Sequence, residues 1–203
     1  MSIKDNKGIW IFLVVAFIIY FFTAFYYNYK SETTPMTTDL SQEERSMCSL
    51  TELPDGNLSL TVPPTYVYGA SQSDLDAVAK EHGYVSVTLN DNGSATYVLT
   101  KEQHDEMMGK LKEGIDQKIA YLPSSSKSYK DITSISANDD YTDFVINLDA
   151  KSISDKTSMA MLELKLLSTM YNAFNGNGNP AFHAVYYGTD GQVLADTDSD
   201  KQN

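Results

Sequence analysis

Residues 83–108 read GYVSVTLNDNGSATYVLTKEQHDEMM, and the order of signals in this stretch decides the class of fold. Val85, Val87 and Leu89 alternate with Ser86 and Thr88, the period-two pattern of a strand with one buried face. Asp91-Asn92-Gly93 follows, and the chain returns through Ala95, Tyr97 and Leu99. An Asn-Gly pair between alternating runs predicts a tight antiparallel hairpin, because the favoured two-residue turn needs positive φ. Thr100 and Gln103 then stand at capping-box spacing. His104, Met107, Met108, Leu111, Ile115, Ile119 and Leu122 recur at intervals of three and four, with Glu102, Asp105, Glu106, Lys112, Glu113 and Asp116 on the other side. A half-buried hairpin running into a helix with one apolar stripe reads as an α+β layer, since each needs the other's apolar face.

The same signals extend outward in both directions. Upstream, Leu58, Leu60 and Val62 alternate as a leading strand that Pro63 and Pro64 stop. Ser73 can cap a short helix carrying Leu75, Val78 and Ala79, with Gly83 at its end. Downstream, a second strand pair is expected over 132–137 and 141–149, turning at Asn138-Asp139-Asp140. A third helix is expected from Asp155 to Phe174, broken by Asn175-Gly176-Asn177-Gly178-Asn179-Pro180. A last hairpin turns at Thr189-Asp190-Gly191, with Phe182, Ala184 and Tyr186 on one arm and Val193 and Ala195 on the other. The expected module is α+β over 58–196: two layers, antiparallel hairpins and three packed helices, followed by a disordered polar tail at 197–203.

The N-terminus is of another kind. Gly8 to Tyr27 is GIWIFLVVAFIIYFFTAFYY, without a charge. As a helix it is about 30 Å long, the thickness of a bilayer's hydrocarbon core. Trp10 near one end and Tyr26, Tyr27 and Tyr29 near the other suit the two membrane interfaces. Lys4, Lys7 and the amino group, offset by Asp5, precede the span, whereas Lys30 beside Glu32, then Asp39, Glu43 and Glu44 before Arg45, follow it. The positive charges close to the span favour, by a modest margin, an inner N-terminus and an exported remainder. A cleaved signal peptide would have a shorter apolar core and small residues at its cleavage site, while Phe22-Thr23-Ala24 offers a bulky ring there. The expected organisation is a cytoplasmic tail (1–7), a transmembrane helix (8–27) that meets the bilayer, and a flexible stalk (28–57) rich in Ser, Thr, Glu and Asp, in which Leu40–Met47 could form a short helix with little apolar face. The module itself is then extracytoplasmic.

Composition removes several function classes. With 15 Lys plus Arg against 27 Asp plus Glu, the net charge is −12, the wrong sign for a general nucleic-acid binder. One cysteine, Cys48, excludes an internal disulfide framework and an iron–sulfur cluster, and leaves either an idle thiol or an intermolecular crosslink.

Three stretches, 83–108 above, ANDDYTDFVINL at 137–148 and MYNAFNGNG at 170–178, resemble a group of small Gram-positive exported proteins labelled antigen I/II N-terminal-like. The resemblance covers about residues 80–195. It implies export and a place at the cell surface, and supplies no functional residue. Proteins of that group are commonly tethered through a lipobox cysteine, whereas this chain carries the apolar span instead.

No Walker loop, G-x-G-x-x-G, H-E-x-x-H or G-x-S-x-G motif is present, so no cofactor is expected and no catalytic residue is nominated. His82, His104 and His183 lack paired ligand spacing. Asp139, Asp140 and Asp143 crowd one turn and are the calcium candidates, against the plainer reading of a solvated turn. On the third helix, Met159, Leu162, Leu166, Met170 and Phe174 supply the stripe that a sheet needs. Met161 and Leu164 then point elsewhere, either under another part of the same molecule or as a candidate partner surface. The expected function is a binding or assembly module at the bacterial cell surface, with a protein or other envelope partner. The alternatives are a surface hydrolase or metal-assisted enzyme and a passive envelope component.

Overall fold

The computed structural model describes residues 40–125 and 129–198, all within the compact unit that begins at Thr38. The expected tail and membrane span, 1–27, lie outside the described residues, as do 28–39 of the stalk. No helix among the described residues is long and apolar enough to cross a membrane.

The fold is α+β. It consists of α1 (Gln42–Met47), β1 (Ser49–Glu52), β2 (Leu58–Val62), α2 (Gln72–His82), β3 (Ser86–Leu89), β4 (Ala95–Leu99), α3 (Lys101–Ser124), β5 (Ile132–Ala137), β6 (Asp143–Leu148), α4 (Asp155–Phe174), β7 (His183–Tyr187) and β8 (Val193–Asp198). Two hairpin–helix–hairpin units are thus joined by α3, which at ~1.5 Å per residue is long enough to serve both. Each unit builds its own sheet, ordered β1-β2-β4-β3 and β5-β6-β7-β8.

The first sheet is antiparallel throughout. The second is not. β6 and β7 pair in parallel, with α4 as the crossover between them, which corrects the expectation of antiparallel hairpins alone. The physical reason is that a helix between two strands can carry the chain back to where the first began, so the second starts in the same direction. In the first sheet β2 and β3 also run the same way, but β4 lies between them.

Local signals account for the helix ends. Thr100 accepts the Gln103 amide at 3.2 Å and Gln103 Oε1 accepts the Thr100 amide at 2.9 Å. Gln103 Nε2 also donates to Gly83 O at 2.8 Å, tying the end of α2 to the start of α3. The cap of α2 is Ser71, with Asp74 completing the box, rather than Ser73.

Two apolar cores result. Leu60, Val62, Leu75, Val87, Ala95 and Leu99 centre the first, with Met107 from α3 and Phe174 from α4 packed against it. Ile115 and Leu122 from α3 and Ala160, Met161 and Leu164 from α4 meet Ile132, Phe144, Ile146 and Ala184 in the second. The N-terminal half of α3 therefore belongs to one core and its C-terminal half to the other.

The stalk expected over 28–57 is corrected for its second half. Ser41 caps α1 in a full capping box with Glu44, and β1 pairs with β2 from Ser49↔Thr61 to Glu52↔Leu58. The loop after α4 receives this segment: Arg45 Nη1 donates to Asn179 Oδ1, and the Gly178 Cα lies against the Arg45 carbonyl and Cys48. The module starts at about Leu40, which is itself buried, and β8 carries it two residues beyond the expected boundary to Asp198.

A candidate binding face on the first sheet

In an antiparallel pair, residues directly opposite one another share a face. The register of the first sheet puts Leu50, Leu60, Tyr97 and Val87 in one inward row. The neighbouring rows on the other face read Ser49–Thr61–Thr96–Thr88 and Thr51–Ser59–Val98–Ser86. All but Val98 carry a hydroxyl, and all eight are exposed or half-buried. With strands ~4.8 Å apart and alternate residues ~6.7 Å apart along each, the hydroxyls form a two-dimensional grid.

The grid is ordered by its own hydrogen bonds. The Thr61 and Thr96 hydroxyls are 3.1 Å apart. Asn90 Nδ2 donates to Thr96 Oγ1 at 3.0 Å and to Ser94 Oγ at 2.8 Å. Asn92 Oδ1 accepts from the Ser94 amide and hydroxyl at 3.1 and 2.7 Å. The Asp91-Asn92-Gly93 turn, with Gly93 at φ +81°, thus stands as a rim at one end of the rows. Together with Ser46 and Met47 these residues line an open groove of about 550 Å³. Its polar lining is hydroxyl and amide apart from Asp91, groups that both donate and accept, which suits a ligand that does the same.

No protein-family model matches the chain, and no curated protein or solved structure matches it either. The face therefore has to be read from its own chemistry.

The residues nominated from sequence fall elsewhere. Met161 and Leu164 are 3% and 0% exposed in the second core, so the candidate partner surface is corrected: they are covered within the same molecule. Met159, expected on the core stripe, is 54% exposed. The helix presents Thr157, Ala160, Met161, Leu164, Ser168 and Asn172 inward instead. Two polar members of that stripe have partners there: Ser168 Oγ donates to Tyr141 O, and Asn172 Nδ2 donates to Asp140 O at 2.9 Å.

Those bonds also explain the calcium candidates. Tyr141 adopts φ +55° and buries its ring, separating Asp139 and Asp140 from Asp143. Asp143 Oδ1 faces His183 at 3.0 Å, and its Oδ2 accepts from Asn138. Among the described residues no three His, Cys, Asp or Glu side chains converge as a metal site, so Asp139, Asp140 and Asp143 do not make one. Tyr141 is held by Lys112 and Asp116 of α3, whose Nζ and Oδ1 lie 2.8 and 2.6 Å from its hydroxyl; burial pushes that hydroxyl up to about 12.

His104 is buried, its Nε2 3.0 Å from Phe174 O, and links α3 to the end of α4. Cys48 is half-buried, and desolvation, with Glu44 close by, pushes its thiol up to about 11, the direction of an idle sulfur.

Proposed function

We propose that this chain is a single-pass membrane protein, anchored by a transmembrane helix over 8–27 with its N-terminus inside, whose α+β module binds a neutral, hydroxyl-rich polymer of the bacterial envelope. The single observation that carries the choice of ligand is the pair of hydroxyl rows beside the amide-lined groove. Seven hydroxyls on a regular grid can exchange hydrogen bonds with a polyol at many points, each modest alone and selective in sum. The rows hold no charge, and the chain's net charge of −12 disfavours anionic polymers. The uncharged apolar stretch from Gly8 to Tyr27 and the resemblance over 80–195 support the placement outside the cell. Binding is preferred to catalysis because nothing in the groove pairs a nucleophile with a base.

The test uses the full-length protein in detergent micelles and insoluble glycan sacculi stripped of anionic polymers. Cosedimentation is expected for the native chain and lost in the Thr61→Val, Thr96→Val double variant. That exchange keeps side-chain shape and removes both hydroxyls of one bond, and Asn90, which loses Thr96 as an acceptor, keeps its bond to Ser94, so the thermal melt should hold. Failure of the native chain to sediment, or equal sedimentation of the folded variant, overturns the reading. A reporter fused after Asn203 that is active only in the cytoplasm would overturn the topology independently.

A further inference from the structure

The second sheet holds an imidazole whose two hydrogen bonds cannot coexist in its neutral form. His183 stands on β7 at the sheet face away from the helices, between β6 and β8. Its Nδ1 is 3.0 Å from Asp143 Oδ1 on β6, and its Nε2 is 2.8 Å from Asp196 Oδ1 on β8. Neutral imidazole carries one N–H and so turns a lone pair toward one of the two carboxylates. Imidazolium donates to both.

The position of this bridge gives it leverage. β8 is the outermost strand of the order β5-β6-β7-β8, and the bridge lies at its C-terminal end, where His183 is in register with Asp198. Strand ends are where pairing opens first. The titratable groups facing the ring are Asp143 from β6 and Asp196 and Asp198 from β8; the residues of β5 on this face are Ser134 and Ser136. Among the described residues, the two groups bonded to the ring are both carboxylates, so the deprotonated ring turns a lone pair toward one of them.

We propose that Asp143, His183 and Asp196 form a proton-operated latch, in which the imidazolium fastens β8 to β6 across β7 and loss of its proton frees the C-terminal end of β8. Freeing that end turns β7 into the local edge of the sheet, with backbone groups open to pairing by another strand. The hydrogen bonds to Asp196 and then Asp143 raise the His183 pKa above its ordinary value, in keeping with this direction. Since the folded value lies above the unfolded one, the latch is fully closed below about 6.5, the free imidazole value, and opens as pH rises through the folded value. Its members are solvent-exposed, so salt weakens it.

Amide hydrogen exchange on the full-length chain in micelles tests the latch, with protection factors corrected for the intrinsic pH dependence. Between about pH 5 and about pH 9, protection at 195–198 should fall relative to 132–148, the closed latch being lost as the ring gives up its proton. In His183→Gln the 195–198 amides should stay at the lower protection at both pH values. In Asp196→Asn the ring nitrogens, followed by NMR, should titrate at lower pH than in the native chain. Flat protection in the native chain, the same fall in His183→Gln, or an unmoved titration in Asp196→Asn would each overturn the proposal. The native arm stands whether or not the variants fold.

Discussion

Leu50 of β1 lies directly against the backbone of Gly176 in the loop after α4: a Cβ built on that glycine would stand 2.7 Å from the Leu50 Cβ and 2.9 Å from its amide nitrogen. Gly176 also takes φ +79°, which L side chains rarely adopt. The glycines that stop α4 therefore serve a second purpose, as the seat for the segment that leads in from the N-terminus.

Gly176→Ala should cost about 2–5 kcal/mol, left-handed strain contributing about 1–2 and overpacking about 1–3. Gly56 is the control, since it has φ +83° but nothing within 4 Å of its Cβ position. Gly56→Ala should lose only the strain, about 1–2 kcal/mol. Urea denaturation of the two variants checks this, and equal losses would mean that Leu50 is not seated on the loop.

Shortening the chain to begin at Leu58 removes β1 and uncovers the row that Leu50 completes beside Leu60. The melting temperature should drop by about 4–8 °C relative to a chain beginning at Thr38, a loss of about 2 kcal/mol for a domain of this size. Coincident melts would restore 40–57 to the stalk. Slow amide exchange at 50–52 should accompany the intact segment.

The two faces of α4 should respond oppositely to charge. Leu164→Ala should cost about 2–5 kcal/mol, as buried leucines do, and Leu164→Glu should abolish the cooperative melt, because an unpaired carboxylate would enter the core. Met159→Glu, on the exposed side, should change stability by less than about 0.5 kcal/mol. A folded Leu164→Glu chain would show that this side of the helix is open after all.

Cys48 should react slowly. Raising the thiol from 9.0 to about 11 makes the thiolate about a hundredfold scarcer at neutral pH, and the thiolate is the reacting species. Alkylation of the folded chain should therefore lag the urea-unfolded chain by about that factor at one pH corrected for denaturant, and the folded rate should climb until pH passes about 11. Equal rates would show that α1 leaves its seat on the labelling timescale.

The elements from β2 to β8 were legible because their signals are local. Thr100 and Gln103 meet within one turn, Asn92-Gly93 sets its own dihedrals, and the alternation of Phe144, Ile146 and Leu148 needs no partner to be read. QEERSM follows a Ser41–Glu44 pair at capping-box spacing but has little apolar face, and the four residues of SLTE are too few to show a period. α1 has no buried residue and β1 only a half-buried Leu50, so their order comes from Glu44 accepting from Thr65, Arg45 meeting Asn179 and Leu50 lying against Gly176. The inward stripe of α4 was misread for a related reason: hydropathy favours Met159 over Ala160, Ser168 and Asn172, whereas close packing on a sheet selects small residues, and carbonyls of the Tyr141 turn recruit the polar ones.

By itself, then, the sequence determined the class of this module, the ends of its longer helices, the turn of its central hairpin and the apolar stretch expected to anchor it. All of these depend on residues within a few positions of one another. Only the tertiary structure decided that β7 runs parallel to β6, that Ser49, Thr61, Thr96 and Thr88 form one row, and that His183 sits between Asp143 and Asp196. A period of two says which residues share a face of one strand, but it is blind to strand direction and neighbour. Those follow from how helices and loops bring distant strands together, and both candidate sites are made of such distant neighbours.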